Sequence, residues 1–498
     1  MEILINILFI FLGNCQSFFF RLICIIFTLL IFDRVCADDD IRDFYILQTS
    51  DIHSNVFGED SSWLREATVI EDIIKKNGRD NVLLIDCGDT LAGDFSGIAT
   101  NGQIGIDMLN LLQYDVWVPG NHDFDFGLHA FYKFLSKIKA SKLAANLNLP
   151  NYSFKGWQIF YKNGIKVAVI GMTYPWTDSL IWGESFRNIK LMKLVPTLDM
   201  IIPEIMKAKP DIIVLAAHYW LFAPKRLGGL SFQQIANKYP QIDIFLGGHI
   251  HKAVSGKRAG LRSWCVVPGA HSKSLAKVSI KFNIKKKCVQ DITSVLLPVD
   301  SSIHIKPIYK NLILNKYKKK IRIMANQKIS NFNISLKDKA LDDLFAKAVC
   351  KYSNTKFAVI SSPLEHSELN GVIRMIDIFN IAPYEDFIVV LFLTEKQLLD
   401  VLDEQNSVQR YKQAFFGGQV RDEHIFTLDG KRVFNSLKQR IPIAFSSYIV
   451  ASADGRFPFL RTLSFQKDVK AYSTNIKIRV ALKKYINKNA QVNNLLVH

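Results

Sequence analysis

A cysteine pattern is what this chain most plainly lacks. Seven cysteines are scattered over 498 residues with no C-x-x-C spacing, so neither a thiolate-closed structural zinc nor a disulfide-dense scaffold is expected. Cys87 sits in a strand-like run and reads as a small buried residue. Bridges among Cys265, Cys288 and Cys350 are left open. Internal repeats are missing, which excludes a solenoid. Beyond the N-terminal region no apolar stretch is long enough to cross a bilayer, which excludes a multi-span channel or transporter. The segment Asn493 to His498 carries no lipid-anchor signal. Acidic residues are the scarcer charge, 45 against 63 basic ones, for a formal net charge of +18. Much of the excess lies between Lys281 and Lys328, in Lys285-Lys286-Lys287 and Lys318-Lys319-Lys320-Ile321-Arg322. The basic and aromatic interleaving of a base-stacking platform is absent there, so the stretch reads as a solvated linker or helix face. No nucleic-acid partner is expected.

What is present is ordinary globular composition, 49% hydrophobic and 22% charged, in a chain too long for one core. The N-terminus has the order of a cleavable secretory signal: Arg21, an apolar core from Leu22 to Phe32, small Ala37, then Asp38-Asp39-Asp40. Residues 1–37 are therefore expected to be removed, placing the protein outside the cell or in an endomembrane lumen such as a vacuole or endosome. Asp33 and Arg34, between the apolar core and Ala37, leave a retained signal anchor, and hence a membrane-attached protein, as the alternative.

From residue 43 to 300, strand-like apolar runs alternate with helical stretches, Trp63 to Lys76 and Phe131 to Lys139 among them. Each of several runs ends in polar residues able to bind metal. Phe44-Tyr45-Ile46-Leu47 leads to Asp51-Ile52-His53, and Val82-Leu83-Leu84-Ile85 leads to Gly88-Asp89. Val116-Trp117-Val118 leads to Gly120-Asn121-His122-Asp123. Ile212-Ile213-Val214-Leu215-Ala216 leads to His218, and Ile244-Phe245-Leu246 leads to Gly248-His249-Ile250-His251. Sheets of this kind bind ligands at the carboxyl ends of their strands. At a strand end, residues two apart point the same way, so Asp51 and His53 are expected to reach one ion. Asp89 has two oxygens with which to bridge two ions, and the Asn121 carbonyl can hold the second, leaving His122 free for chemistry. His129, His271, His304, His366, His424 and His498 read as ordinary residues. Hard oxygens and borderline nitrogens without sulfur suit two divalent ions (Zn, Mn, Fe or Mg) engaged in hydrolysis.

The order of these groups resembles the calcineurin-like metallophosphoesterases, and more closely their 5'-nucleotidase and UDP-sugar hydrolase branch. The resemblance runs through Thr49 to His53, Asp86 to Thr90, Gly120 to Asp125, Ala144-Ala145-Asn146 and Gly247 to His251, and covers nearly all of residues 43 to 300. It implies an α/β fold: a four-layer α/β/β/α sandwich over residues 38–300 and a smaller α+β substrate-binding domain over 336–498; between them residues 301–335, basic and weakly patterned, read as a partly helical linker. It implies one ion on Asp51, His53, Asp89 and His251, and another on Asp89, Asn121, His218 and His249. His122 is then the catalytic histidine and Asp125 its orienting partner. The reaction implied is in-line attack on phosphorus by a hydroxide bridging two ions roughly 3.5–4 Å apart, with His122 protonating the leaving oxygen or stabilising the transferring group.

The second half is similar to the family's C-terminal domain at Gly371 to Ile378, Ala382 to Asp386 and Ser447 to Gly455. By that match Tyr448 stacks on a base and Asp454 binds hydroxyls, with Phe415 or Phe416 as the opposite face of the clamp. The family's arginine-bearing loop is replaced by Ser361 to His366, which lacks a bidentate guanidinium. The substrate implied is a small phosphoester, foremost a nucleotide. A UDP-sugar, a cyclic nucleotide or a non-nucleotide phosphomonoester is the alternative, and a secreted non-catalytic binding protein is the reading from another class. Because the aromatic clamp and the metals fall in different halves, the second half is expected to turn toward the first during the cycle.

Overall fold

The computed structural model describes residues 40–60, 62–182, 189–219, 227–361, 368–408 and 413–489. The signal reading of residues 1–37, Cys15, Cys24 and Cys36, and the loop around Glu365 and His366 lie outside the described residues.

The apolar runs of the first half assemble two mixed six-stranded sheets. One has the spatial order Cys288–Pro298, Ser274–Asn283, Ile41–Thr49, Val82–Asp86, Val116–Trp117, Ser141–Lys142. The other runs Val254–Ala259, Ser263–Val267, Ile244–Leu246, Ile212–Ala217, Ile165–Met172, Trp157–Lys162. Ile41–Thr49 is parallel to Val82–Asp86, with Leu47 opposite Leu84, and antiparallel to Ser274–Asn283. Strand alternation then sorts the side chains. Phe44, Ile46, Leu83 and Ile85 meet Val167, Val169, Val214 and Ala216 in a core between the sheets. Leu47 and Leu84 turn outward beneath the helices Trp63–Asn77, Gln103–Leu111 and Leu128–Lys137. Ile170, Ile213 and Leu215 turn outward beneath Leu194–Lys207 and Phe232–Lys238. Helix, sheet, sheet, helix is the four-layer sandwich.

The second half is α+β. Its five-stranded sheet has the order Gln413–Phe416, Phe357–Ser361, Ile441–Ser446, Phe387–Leu393, Ala471–Lys477. Asp338–Ser353, Met375–Ile381 and Ile478–Asn489 cover one face, and Glu395–Asn406 and Pro458–Phe465 the other.

Three local features differ from the sequence reading or refine it. The basic stretch expected as a linker is a helical run, Pro307–Tyr309, Lys310–Leu314 and Asn315–Ala325. Tyr309, Ile313 and Tyr317, four residues apart beneath the lysines, bury into the first half's core. Lys328–Lys337 then pairs with Glu368–Arg374 in the second half. The segment Ser447 to Gly455, matched to the family's substrate-binding region, opens as a short helix, Ser447–Val450, after the strand Ile441–Ser446; the Ser446 hydroxyl accepts from the Ile449 amide and caps it. Cys87, Cys265, Cys288 and Cys350 are all free thiols.

Candidate metal centre and its surroundings

The donors lie just past the strand ends, in loops clamped to one another through the backbone. The Asp51 amide donates to Gly88 O and the His53 amide to Asp89 O, each at 2.8 Å. Asp51, His53, Asp89, His249 and His251 all take positive φ, at 53°, 53°, 56°, 80° and 59°. Each such residue costs about 1–2 kcal/mol relative to its ordinary conformation, and surroundings that over-determine the backbone hold it there. The shared direction of Asp51 and His53 therefore comes from left-handed turns, not from the strand alternation expected of them. Glycine is required at two contacts: a Cβ on Gly120 would lie 2.2 Å from Asp89 Oδ1, and one on Gly248 2.1 Å from Ser50 Oγ.

Two groups of potential ligand atoms result. Asp51, His53 and His251 form one, and Asp89, His218 and His249 the other. Asp89 Oδ2 stands 3.1 Å from His218 Nε2 and 3.9 Å from His53 Nε2, facing a histidine of each group. His53 Nδ1 is 3.0 Å from Ala92 O, and His218 Nδ1 is 2.7 Å from Cys87 O. Carbonyls only accept, so those nitrogens carry protons and each Nε2 is the atom turned inward; at His218 burial opposes the charged form, but Asp89 outweighs it and raises the imidazole to about 9. His53 Nε2 lies 2.9 Å from His251 Nε2, and His249 Nδ1 lies 3.3 Å from His218 Nε2. Asn121 Oδ1 is buried without a hydrogen-bond partner. Burial pushes the His53 and His249 imidazoles well below their ordinary value and His251 to about 4, the neutral form that ligation requires. Inward-facing acceptors at this density fit divalent cations.

His122 occupies the rim. Its backbone amide donates to Asp89 Oδ1 at 2.7 Å, and its Nδ1 lies 2.9 Å from Asp125 Oδ2. Burial opposes its charged form, but Asp125 and Asp89 outweigh burial and raise the imidazole to about 10.

Three neighbours escaped the sequence reading. Asp123 accepts from the amides of Asp89, Thr90, Leu91 and Gly120 at 2.8–3.0 Å, tying two ligand loops together. Its place in Gly120-Asn121-His122-Asp123 was the only signal available. His271, read as ordinary, has its ring 5.3 Å from those of His53 and His251. Tyr174 stacks on His249 at 3.9 Å.

The second half reaches this centre. The Tyr174 hydroxyl donates to Asp454 Oδ1, and the Asp454 amide donates to Ser179 O at 3.2 Å. Asp454 is buried in this arrangement. Tyr448 and Phe415 pack against the same apolar cluster, and Phe415 stacks on Phe357 at 6.0 Å. Phe416 packs against the cluster on the other face of the sheet, away from Tyr448.

Comparison with known proteins agrees with this geometry. Residues 44–253 match the calcineurin-like phosphoesterase family, and residues 320–438 match the 5'-nucleotidase C-terminal domain. The chain belongs to the calcineurin-like phosphoesterases, in the group that carries this C-terminal domain. The protein UshA of Escherichia coli (strain K12) is 30% identical over 242 residues, 46% of this chain and 44% of UshA. The trifunctional nucleotide phosphoesterase protein YfkN of Bacillus subtilis is 22% identical over 459 residues, 81% of this chain and 30% of YfkN. The chain thus spans less than half the length of these curated relatives. A crystal structure of a putative 5'-nucleotidase from Staphylococcus aureus shares the fold with a TM-score of 0.72 at 19% identity, covering 91% of this chain and 98% of that one.

Proposed function

We propose that the chain is a metal-dependent phosphoester hydrolase that acts on nucleotides. The observation that carries this is the position of Asp89, which faces a histidine of each donor group, with His122 held beside them by Asp125. One cation would be held by Asp51, His53, Asp89 and His251, and a second by Asp89, Asn121, His218 and His249. When bound, such a pair supplies positive charge for a phosphoryl group and lowers the pKa of water to make a nucleophile.

The remaining roles belong to the chain's own residues. His122 donates its Nε2 proton to the departing oxygen, with Asp125 fixing the ring through Nδ1. Asp123 keeps the Asp89 and Gly120 loops in register. Tyr448 and Phe415 offer the base its faces, and Phe416 supports the sheet from behind. Asp454 binds sugar hydroxyls in competition with Tyr174. A binding protein would need the metal cradle but not a proton donor with its own orienting carboxylate, and this favours the enzyme. The signal reading of residues 1–37 supports a secreted or lumenal site of action.

The test is hydrolysis of p-nitrophenyl phosphate by purified protein, before and after chelation and after adding Mn or Zn, followed by AMP, UDP-glucose and 2',3'-cyclic AMP. Metal-restored turnover with preference for a nucleotide is expected. Metal binding without turnover of any of these would favour the binding protein.

A further inference from the structure

We propose that the turn 382–386 of the second half is a positioning element for His122, with Tyr384 as its contact and Arg479 as its anchor. The Tyr384 ring lies stacked on the His122 imidazole, 5.9 Å between centroids and 20° between planes. His53 meets the same imidazole edge-on at 5.3 Å, and Asp125 holds its Nδ1. A hydrogen bond at one nitrogen still lets a ring tilt about that bond. A near-parallel ring alongside the imidazole limits that tilt and helps aim Nε2.

Core packing does not put Tyr384 there, since it is 53% exposed. The backbone of the turn does. Arg479, 4% exposed, donates from Nε to Ala382 O at 2.9 Å and from Nη2 to Pro383 O at 2.7 Å and Tyr384 O at 3.2 Å. It also pairs with Glu385, which Lys477 grips as well. On the far side, the Ile478 amide donates to Asp386 O at 2.8 Å, and the Ser447 hydroxyl donates to Asp386 Oδ1 at 3.1 Å. Pro383 fixes one φ within the turn. A buried arginine and glutamate are costly to desolvate, and apolar side chains would often stabilise a core as well. Every donor here is instead spent on one five-residue turn whose tip meets a reactive imidazole in the other half. His122 is then fully oriented only while the two halves are docked.

This inference rests on the reading of His122 as proton donor, and two measurements keep the two apart. The first is turnover by the metal-loaded full chain of an alkyl phosphomonoester, whose leaving oxygen needs a proton, against p-nitrophenyl phosphate, whose leaving group does not. Tyr384→Ala should lower kcat about 10-fold for the alkyl ester and less than about 2-fold for the nitrophenyl ester, with KM little changed, as expected for loss of orientation. Tyr384→Phe should behave as wild type. The second is hydroxyl-radical footprinting of the His122 peptide in metal-free protein, followed by mass spectrometry, which reads exposure of the ring in either protonation state. Its rate should rise about 3-fold in Tyr384→Ala and not in Tyr384→Phe, because the ring loses its cover. Equal losses on both esters, or no loss, together with unchanged modification, would overturn the proposal. If the wild type turns over neither ester, the phosphoester reading fails, and the modification rate alone decides whether Tyr384 positions the ring.

Discussion

Tyr174 gives its hydroxyl to Asp454, 280 residues away in the chain, while its ring covers His249. One side chain therefore ties a proposed metal ligand to a proposed substrate-binding carboxylate. In the docked arrangement one oxygen of that carboxylate already accepts from Tyr174, so a nucleotide hydroxyl competes with Tyr174 for it. Tyr174→Phe removes the competing donor and keeps the stack. The KM for a nucleoside monophosphate should fall about 10-fold, the lower end of what a hydrogen bond to a charged group is worth. The KM for p-nitrophenyl phosphate, which has no sugar, should stay put. Steady-state kinetics on the two substrates decides it, and an unmoved nucleotide KM would remove Asp454 from substrate contact.

Asp89 faces a histidine of each donor group, so its loss should affect both. Chelation should lower the melting temperature of the wild type, and manganese should restore it. An ion at about 1,000 times its Kd contributes about 4 kcal/mol, on the order of 10 °C for a domain of this size. Asp89→Asn should melt at the same temperature with chelator or with manganese. Scanning fluorimetry and elemental analysis check this. A wild type indifferent to chelation and free of metal would remove the centre itself.

Glu66 offers a pH test away from the donors. It is buried, and Ser272 donates to its Oε2 at 2.7 Å. Burial, reinforced by Asp86 and opposed by Ser272, pushes its carboxyl up to about 8 from an ordinary 4.5. Between those values the folded state keeps a proton that the unfolded chain has released. The folded state binds more protons, so stability falls as pH rises through this window. Glu66→Gln keeps an acceptor for Ser272 and removes the titration. Its melting temperature should exceed that of wild type at pH 8 and converge with it toward pH 4.5. Parallel curves across the range would count against the burial of an acid at this position.

The proposed donors stand out in the sequence as polar side chains within a few residues of an apolar strand's end, as at His218 after Ile212–Ala217. The four-layer fold was legible from the continuous burial such runs require, Val82–Asp86 among them. What escaped depends on chain-distant partners. Tyr174 acquires a role only because His249 and Asp454 converge on it. Asp123 looks like any turn carboxylate until four amides from two loops point at it. The docking of Tyr309, Ile313 and Tyr317 was hidden because the lysines around them dominate composition, while a spacing of four decides which face is buried. The convergence of Asp51 and His53 was expected, but its backbone cause was not, because positive φ in non-glycine residues is imposed by tertiary contacts, not by propensity.

Motion between the halves is the remaining expectation, and the docked face supplies its handle. Arg461 Nη2 pairs with Asp178 Oδ2 at 2.8 Å, Trp182 Nε1 donates to Ser464 Oγ at 3.2 Å, and Phe95 meets Phe379 edge-on at 5.4 Å. If substrate reaches Asp454 only when Tyr174 lets go, the halves must part during turnover, and pinning them should slow it. Asp178→Cys with Arg461→Cys, joined by a short bismaleimide in a Cys288→Ser background, pins this face without touching the metal donors. The other three described cysteines are buried and so protected from the reagent. Nucleotide turnover should drop about 10-fold or more on cross-linking, the size of effect expected when opening limits the rate. The double mutant without linker, which also gives up the Arg461 hydrogen bonds to Asp178 O and Ala451 O, is the reference against which the linked protein is read. Turnover of p-nitrophenyl phosphate, which needs no sugar contact, should fall less. If the cross-linked protein hydrolyses nucleotides at the uncross-linked rate, the halves work as one rigid body and Asp454 serves the interface rather than the substrate.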